Sequence, residues 1–247
     1  MLDWLYRISY LHPYLLYLVL LGPALLFSII AQIKVKSTYR KYSQFGNSLN
    51  LTGAEAARRI LDSKGLYDVA VVPISGSLTD HYDPRTNTVS LSQGVYDSSS
   101  IAAVGIAAHE VGHAIQYSEK YAPIKLRSAM VGVTNFGSKL SGILIFGGLI
   151  LMAFANTVGD FGYYAALLGV ALFSLSAIFQ LITLPVEFNA SSRARKQVSA
   201  VLFADAETNK GVKKVLSAAA MTYVAALFTS IVQILYYVVL ITGRRRD

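Results

Sequence analysis

Two histidines and a glutamate lie close together near the middle of the chain, in the segment His109-Glu110-Val111-Gly112-His113. In a helix, residues four positions apart lie on the same face, so both imidazoles can bind one Zn²⁺ ion. Glu110 can act as the general base for a zinc-activated water. A helix that buries these three groups without a metal is the alternative, but burying ionisable groups is costly without a compensating partner. The pattern therefore predicts a zinc site.

A catalytic zinc site needs a third protein ligand. Glu119 lies six residues beyond His113, which in a continuous helix is about 600° of rotation and some 120° away from the histidine face. Glu207 lies in a polar stretch that is typical of solvated surface. Glu187 follows Pro185 at the end of an uncharged run, where a carboxylate needs a counter-charge. Glu187 is the preferred ligand, Glu119 is the second choice, and an interfacial Glu187 that reaches towards water is the alternative.

Two features upstream of the motif suggest how a substrate would be held. Residues 88–92 are expected to form an edge strand, along which an extended peptide can bind through main-chain hydrogen bonds; an ordinary hairpin is the alternative. His81 is a candidate catalytic residue, because an imidazole can stabilise the oxyanion of a tetrahedral intermediate. The alternative for His81 is a turn residue that hydrogen-bonds locally.

Helices and strands of the soluble type must position these side chains. Thr52 and Glu55 have the spacing of a capping box, which begins a helix that Gly65 ends. Residues 97–100 supply capping side chains for a helix of about 101–117, which is apolar nearly all round and is therefore expected to be buried. Three short strands are predicted between these helices, at 69–74, 78–82 and 88–92.

Charged residues are absent from four long stretches of the chain. Of its 247 residues, 54% are hydrophobic and 15% are charged, and the uncharged runs are 8–33, 140–159, 161–186 and 215–243. Each run is about as long as the ~20 residues that a helix needs to cross a bilayer. This composition excludes a purely soluble protein and a disordered one. The chain has no cysteine, which excludes disulfides and thiolate ligands.

The predicted fold is mainly α: an integral membrane protein with about four transmembrane helices and a small zincin-like α+β catalytic domain that carries the HExxH motif on a buried helix. The expected segments are an N-terminal transmembrane anchor (1–33), the catalytic domain (34–139), a transmembrane hairpin (140–186), a second metal-ligand helix with a cytoplasmic segment (187–214), and a C-terminal transmembrane helix with a basic tail (215–247).

The basic residues indicate an orientation. Lys and Arg number 12 in residues 34–139 and 6 in residues 187–214, against 4 in the rest of the chain. The positive-inside rule therefore predicts that these two segments face the cytoplasm and that the hairpin turns outside, near Asp160. The basic tail, Arg244-Arg245-Arg246, opposes this orientation. We attribute the net charge of +8 to this bias rather than to nucleic acid, because no recognition motif accompanies it.

Five stretches of the chain carry a resemblance to a known family. They are LTGAEAARRIL (51–61), LTDHYDPRTNTVSLS (78–92), AAHEVGHAIQ (107–116), APIKLRSA (122–129) and LPVEFNASSRA (184–194). With the flanking hydrophobic runs, the chain resembles a bacterial membrane-bound family of neutral zinc metallopeptidases over most of its length. The resemblance implies a zinc-dependent membrane peptidase with His109 and His113 as ligands and Glu110 as the catalytic residue.

More distantly, the chain is similar to membrane gluzincins, in which the ligand glutamate begins an E-x-x-A-D segment on a second helix. The segment from Glu187 to Ser191 matches the glutamate and the alanine but has Ser in place of Asp. This similarity implies Glu187 as the third ligand, with Asn189 and Ser191 as residues that support the ligands.

The expected function is hydrolysis of peptide bonds at the cytoplasmic face, on a peptide or protein substrate that can itself be a membrane protein. An intramembrane protease is one alternative, but it would place the motif inside a crossing, and none of the four uncharged runs holds an aspartate. A non-enzymatic scaffold with a structural zinc is another. Such a site needs a fourth protein ligand and has no use for Glu110.

Overall fold

The computed structural model describes residues 13–154 and 159–243. This part of the chain forms seven α-helices and three β-strands. They are α1 (Pro13–Tyr42), α2 (Gly53–Ser63), β1 (Ala70–Ile74), β2 (His81–Asp83), β3 (Thr88–Ser92), α3 (Gln93–Tyr96), α4 (Ile101–Ser118), α5 (Ala122–Phe154), α6 (Gly159–Ala200) and α7 (Ala206–Gly243). The basic tail, Arg244-Arg245-Arg246, lies outside the described residues.

Four of the described helices, α1, α5, α6 and α7, are long and apolar enough to cross a membrane. They leave many large apolar side chains exposed, among them Phe136, Leu181 and Ile231. Exposed apolar surface on this scale is typical of helices that are surrounded by lipid. The prediction of a mainly α membrane protein with four spanning helices and a small α+β part is confirmed.

The chain divides into two compact units. The first contains the described residues of Met1–Ile30, Leu126–Thr183 and Tyr223–Asp247, which are the apolar parts of the four long helices. In this unit α5 and α6 approach closely at Gly148 and Gly162, where a Cβ on Gly162 would lie 2.7 Å from the carbonyl oxygen of Gly148. Small residues at such a contact allow helices to pack tightly in a membrane.

The second unit comprises Ala31–Lys125 and Leu184–Thr222 and contains every residue of the HExxH motif. Helix α2 begins at the predicted capping box, in which Thr52 Oγ1 accepts from the Glu55 N–H (3.2 Å) and Glu55 accepts from the Thr52 N–H (2.8 Å). The helix ends before Gly65, whose φ of +69° lies in the region that favours glycine. Both ends of this helix were predicted from local chemistry.

The sheet has the strand order β1-β3-β2, with β1 parallel and β2 antiparallel to β3. The expectation that residues 88–92 form an edge strand is therefore wrong, because β3 lies in the centre and pairs on both sides. The strand expected at 78–82 is also shifted, to His81–Asp83. Leu78 has a positive φ of 57°, and the Asp80 carboxylate accepts from the Ser92 N–H at 2.7 Å, so the chain enters the sheet only after Asp80.

Helix α4 is the central element of this unit. It begins at Ser100, whose hydroxyl accepts from the Ala103 N–H at 3.2 Å, and it is buried over most of its length. Its apolar residues pack in one core with those of α2, β3 and the C-terminal part of α6, for example Ile60, Leu91 and Ala194. The core therefore holds the HExxH helix against the segment that follows Pro185 in α6.

Candidate metal centre

Three side chains of the second unit converge on one point. His109 and His113 lie on α4, Glu187 lies on α6, and their ligand atoms all lie within 4.8 Å of one another. Oε2 of Glu187 is 3.3 Å from Nε2 of His109 and 3.6 Å from Nε2 of His113. Glu187 is 2% exposed, so its carboxylate is almost completely removed from water. The structure thus brings together the two predicted histidines and the preferred third ligand.

The spacing of these atoms suits a zinc ion. Zinc–ligand bonds of ~2.0–2.1 Å at tetrahedral angles place ligand atoms about 3.4 Å apart, close to the separations of Glu187 from the two histidines. Two imidazole nitrogens and one carboxylate oxygen are also a known donor set of catalytic zinc sites, which leave a fourth position open. The group formed by His109, His113 and Glu187 can therefore hold a metal ion.

Gln116 determines which nitrogen of His113 faces the centre. Its amide nitrogen donates to the carbonyl oxygen of Val186 (2.8 Å) and to Oδ1 of Asn189 (3.0 Å). Its amide oxygen must then accept the hydrogen bond from Nδ1 of His113, at 3.0 Å. With the proton on Nδ1, the lone pair of Nε2 points towards the Glu187 carboxylate. A lone pair that faces a carboxylate is unfavourable unless a proton or a metal ion lies between them, so this position favours a bound positive charge of either kind.

Burial disfavours the charged form of His113. The hydrogen bond that the Glu187 carboxylate accepts from the protonated ring, together with the charges of Glu110 and Glu187, outweighs this effect and raises the pKa of His113. Glu110 is itself buried, at 8% exposure. The centre is therefore a strongly negative, water-poor environment that favours any positive charge bound at His113.

The segment after Glu187 supports the ligands. Ser191 Oγ lies 3.2 Å from Nδ1 of His109. Oδ1 of Asn189 accepts from Gln116 and from Nε of Arg193, the latter at 2.7 Å. The predicted supporting residues Asn189 and Ser191 are thus placed next to the centre, Ser191 against His109 and Asn189 against Gln116.

Gln116 and Arg193 were not identified from the sequence. The available signal for Gln116 was an uncharged polar residue, three positions after His113, in a helix that is otherwise apolar. Gln116 is 0% exposed, which requires that its amide be fully hydrogen-bonded. Arg193 connects Asn189 to Glu119 through its guanidinium group. The residues around Arg193 in the sequence form no motif that would have indicated this role.

The other two glutamates that were considered as third ligand, Glu119 and Glu207, do not belong to this group of side chains. Helix α4 ends at Ser118, and Glu119 accepts from a guanidinium nitrogen of Arg193 at 2.6 Å, with its side chain 54% exposed. Glu207 is exposed in the first turn of α7. The structure therefore groups only Glu187 with the histidines among the described residues.

Gly112 sets how closely the two ligand-bearing helices approach. A Cβ at this position would lie 2.7 Å from the carbonyl oxygen of Ala190 and 3.3 Å from its Cα. These are backbone atoms, which cannot move aside as a flexible side chain can. A glycine between His109 and His113 is therefore required to bring α4 against the turn of α6 that follows Glu187.

His81 begins the edge strand β2 and is exposed. Its Nδ1 lies 2.9 Å from the carbonyl oxygen of Thr79, which is the local hydrogen bond of the alternative interpretation. The neighbouring Tyr82 contacts the ring of Tyr117 on α4, with ring centroids 5.6 Å apart. A catalytic role for His81 stays a prediction.

Residues 17–242 match the protein family described as "Putative neutral zinc metallopeptidase". The chain belongs to this family. Within the family, it is 48% identical over 233 residues to a protein of Bacillus subtilis (strain 168) named "Putative membrane protease YugP", an alignment that covers 94% of this chain and 100% of the relative. No solved structure matches the chain. The family resemblance inferred from the five stretches of sequence is confirmed.

Proposed function

We propose that this member of the family is a zinc-dependent peptidase of the bacterial plasma membrane that hydrolyses peptide bonds at the cytoplasmic face. The observation that carries the proposal is the convergence of His109, His113 and Glu187 beside the buried Glu110. The descriptions of the family and of the Bacillus subtilis relative, as zinc metallopeptidase and membrane protease, support the same activity.

Each side chain has a distinct task in this proposal. A bound zinc ion supplies a Lewis acid that polarises the scissile carbonyl and makes water a better nucleophile. His109, His113 and Glu187 would hold the ion. Glu110 takes a proton from the attacking water and delivers it to the leaving amine, which is the general acid–base role of this position. The low exposure of Glu110 favours proton transfer over exchange with bulk water.

The outer edge of β2 is the proposed binding place for an extended substrate. β2 pairs with β3 along one edge, and the described residues provide no strand along its other edge. An unpaired edge offers main-chain donors and acceptors to a peptide in extended conformation. Because β2, and not β3, forms this edge, His81 would lie beside a peptide bound there, where it could assist oxyanion stabilisation.

The distribution of Lys and Arg supports the proposed cytoplasmic orientation. The second unit, Ala31–Lys125 and Leu184–Thr222, carries 16 of the 22 Lys and Arg residues (10 in its first segment and 6 in its second). Loops that flank membrane spans and carry such an excess of Lys and Arg are retained in the cytoplasm. The peptidase site in this unit would then act on the cytoplasmic side.

The test is to purify the full chain in detergent, measure its zinc content, and follow hydrolysis of casein and of a fluorogenic peptide. We expect about one zinc per chain and hydrolysis that a chelator abolishes. Glu110→Gln should retain zinc and lose activity, since it keeps the ligands but removes the base. Zinc without hydrolysis in the unmodified chain, on soluble and membrane-peptide substrates alike, would instead support a scaffold with a structural metal.

A further inference from the structure

A second, basic site lies away from the metal centre in the second unit. Five lysines from two helices line one open cavity of about 800 Å³: Lys34 and Lys41 of α1, and Lys210, Lys213 and Lys214 of α7. Ser37, Thr38, Tyr42 and Ser217 add hydroxyl groups to the lining. A cavity with this many ammonium and hydroxyl donors suits a ligand that carries phosphate.

The described part of the chain places no carboxylate against the lysines of this cavity. No carboxylate lines it, and none of its five lysines forms an ion pair with the described residues. A neighbouring cavity of about 520 Å³ shares Lys41, Lys210 and Lys214 and includes Glu207, which also pairs with none of them. Like charges that converge without a counter-ion repel one another, so an anionic ligand would relieve the repulsion.

The two basic helix segments are held together by close packing. A Cβ at Gly211 would lie 2.9 Å from the ring of Tyr42 on α1 and 2.6 Å from Cγ2 of Ile101 at the start of α4. Gly211 follows Lys210 directly, and Tyr42 follows Lys41. The lysines therefore project from helices whose separation is set by buried contacts and not by their own flexible side chains.

The cavity lies next to the ends of two apolar runs of the chain, and this position indicates what kind of phosphate-bearing ligand would reach it. Lys34 is the first charged residue after the uncharged run 8–33, and Lys214 is the last before the run 215–243. Helices α1 and α7, which carry these lysines, are both candidate membrane spans. Each lysine therefore lies where the apolar part of its helix ends. Ala218 and Met221, inside the second run, complete the lining with apolar surface. Phospholipid headgroups lie at this depth, and their acyl chains extend towards the apolar residues.

We infer that this cavity binds the phosphate headgroup of an anionic phospholipid. Basic pockets between helices at the membrane surface are typical headgroup sites. Soluble phosphate would satisfy the lysines equally well but would leave Ala218 and Met221 without a partner. The inference is independent of the proposed peptidase activity, since it uses none of the residues of the metal centre.

The experiment counts bound lipids by native mass spectrometry of the full chain, released from detergent micelles that contain phosphatidylglycerol or phosphatidylcholine. We expect the unmodified chain to prefer phosphatidylglycerol. Lys210→Gln with Lys214→Gln should weaken phosphatidylglycerol binding roughly 10-fold or more and leave phosphatidylcholine binding unchanged. A control that removes two exposed lysines elsewhere, Lys64→Gln with Lys120→Gln, should bind as the unmodified chain does.

A second pair of substitutions on α1, Lys34→Gln with Lys41→Gln, tests the same cavity from the other helix. The thermal unfolding midpoint in detergent reports on the fold of each variant. The inference would be overturned if the cavity variants and the control variant lost phosphatidylglycerol binding equally. It would also be overturned if neither cavity variant lost phosphatidylglycerol binding. Inorganic phosphate or a polyglutamate peptide that competes with phosphatidylglycerol at the pocket would also overturn it, in favour of a soluble phosphate or an acidic protein segment.

Discussion

Nδ1 of His113 donates a hydrogen bond to the amide oxygen of Gln116, one helical turn further along α4. The direction of this bond is determined because both hydrogens of the Gln116 amide are used by Val186 and Asn189 on α6. One buried glutamine therefore orients a histidine of the candidate metal centre and connects α4 with α6.

Replacing Gln116 with methionine should weaken zinc binding about 10- to 100-fold, the usual cost of losing a group that orients a metal ligand. Methionine preserves most of the side-chain volume but cannot accept from His113. Competition with a chromogenic chelator measures the affinity. Gln44→Met is the matched control at an exposed position and should bind zinc normally. Equal affinities in the two variants would show that Gln116 does not orient the ligand.

Glu187→Ala should lose zinc and activity, because two histidines alone rarely hold the ion. It should also lower the thermal unfolding midpoint of the zinc-loaded protein, since the ion contributes to stability when bound. Glu119→Ala removes only an exposed ion pair with Arg193 and should change stability by less than about 1 kcal/mol. Zinc analysis and thermal unfolding in detergent compare the two. The reverse result, with metal lost in Glu119→Ala alone, would mean that the third ligand is wrongly assigned.

Gly112→Ala should destabilise the protein by about 1–3 kcal/mol, because the new methyl group would meet the backbone of Ala190. It should also reduce zinc binding, since α4 must move away from Glu187. Gly105→Ala is a control on the same helix, where the nearest atoms are side-chain carbons of Val212 at 3.4 Å, an ordinary contact. Denaturant unfolding and zinc content should separate the two variants, and similar behaviour would contradict the role of the Gly112 contact.

The orientation can be tested by cysteine labelling, since the chain contains no cysteine. A cysteine at Asp160 should react with a membrane-impermeant maleimide added to intact cells. A cysteine at Gln93 should react only after the membrane is permeabilised. The opposite pattern would place the second unit, and any peptidase activity, outside the cytoplasm.

Much of the architecture could be predicted because it is encoded locally. The capping box at Thr52, the end of α2 at Gly65, the start of α4 at Ser100 and the four spans each depend on a few adjacent residues or on one long apolar run. The pairing of His109 with His113 could be predicted equally well, because their spacing alone places both rings on one face of a helix.

The remaining features depend on contacts between distant segments. Strand β3 became central because β1 pairs with it in parallel, and nothing within residues 88–92 specifies that neighbour. The role of Gln116 depends on Val186 and Asn189, which lie 70 and 73 positions away. The sequence shows a glycine at position 112, but it does not show that Ala190 lies against it. That contact becomes visible only when α4 and α6 are packed together.

The contact between Gly112 and Ala190 also bears on which ions the centre can discriminate. Because even a Cβ at Gly112 would meet the backbone of Ala190, α4 and α6 already lie at close range, and moving them apart would disrupt a packed core. Calcium requires longer bonds of ~2.3–2.6 Å and six to eight oxygen ligands, whereas zinc accepts two imidazoles and a carboxylate at short range. In the proposed zinc enzyme, a fixed helix separation would favour an ion with short bonds over calcium, so that ion selectivity would depend on the fold as well as on the ligands.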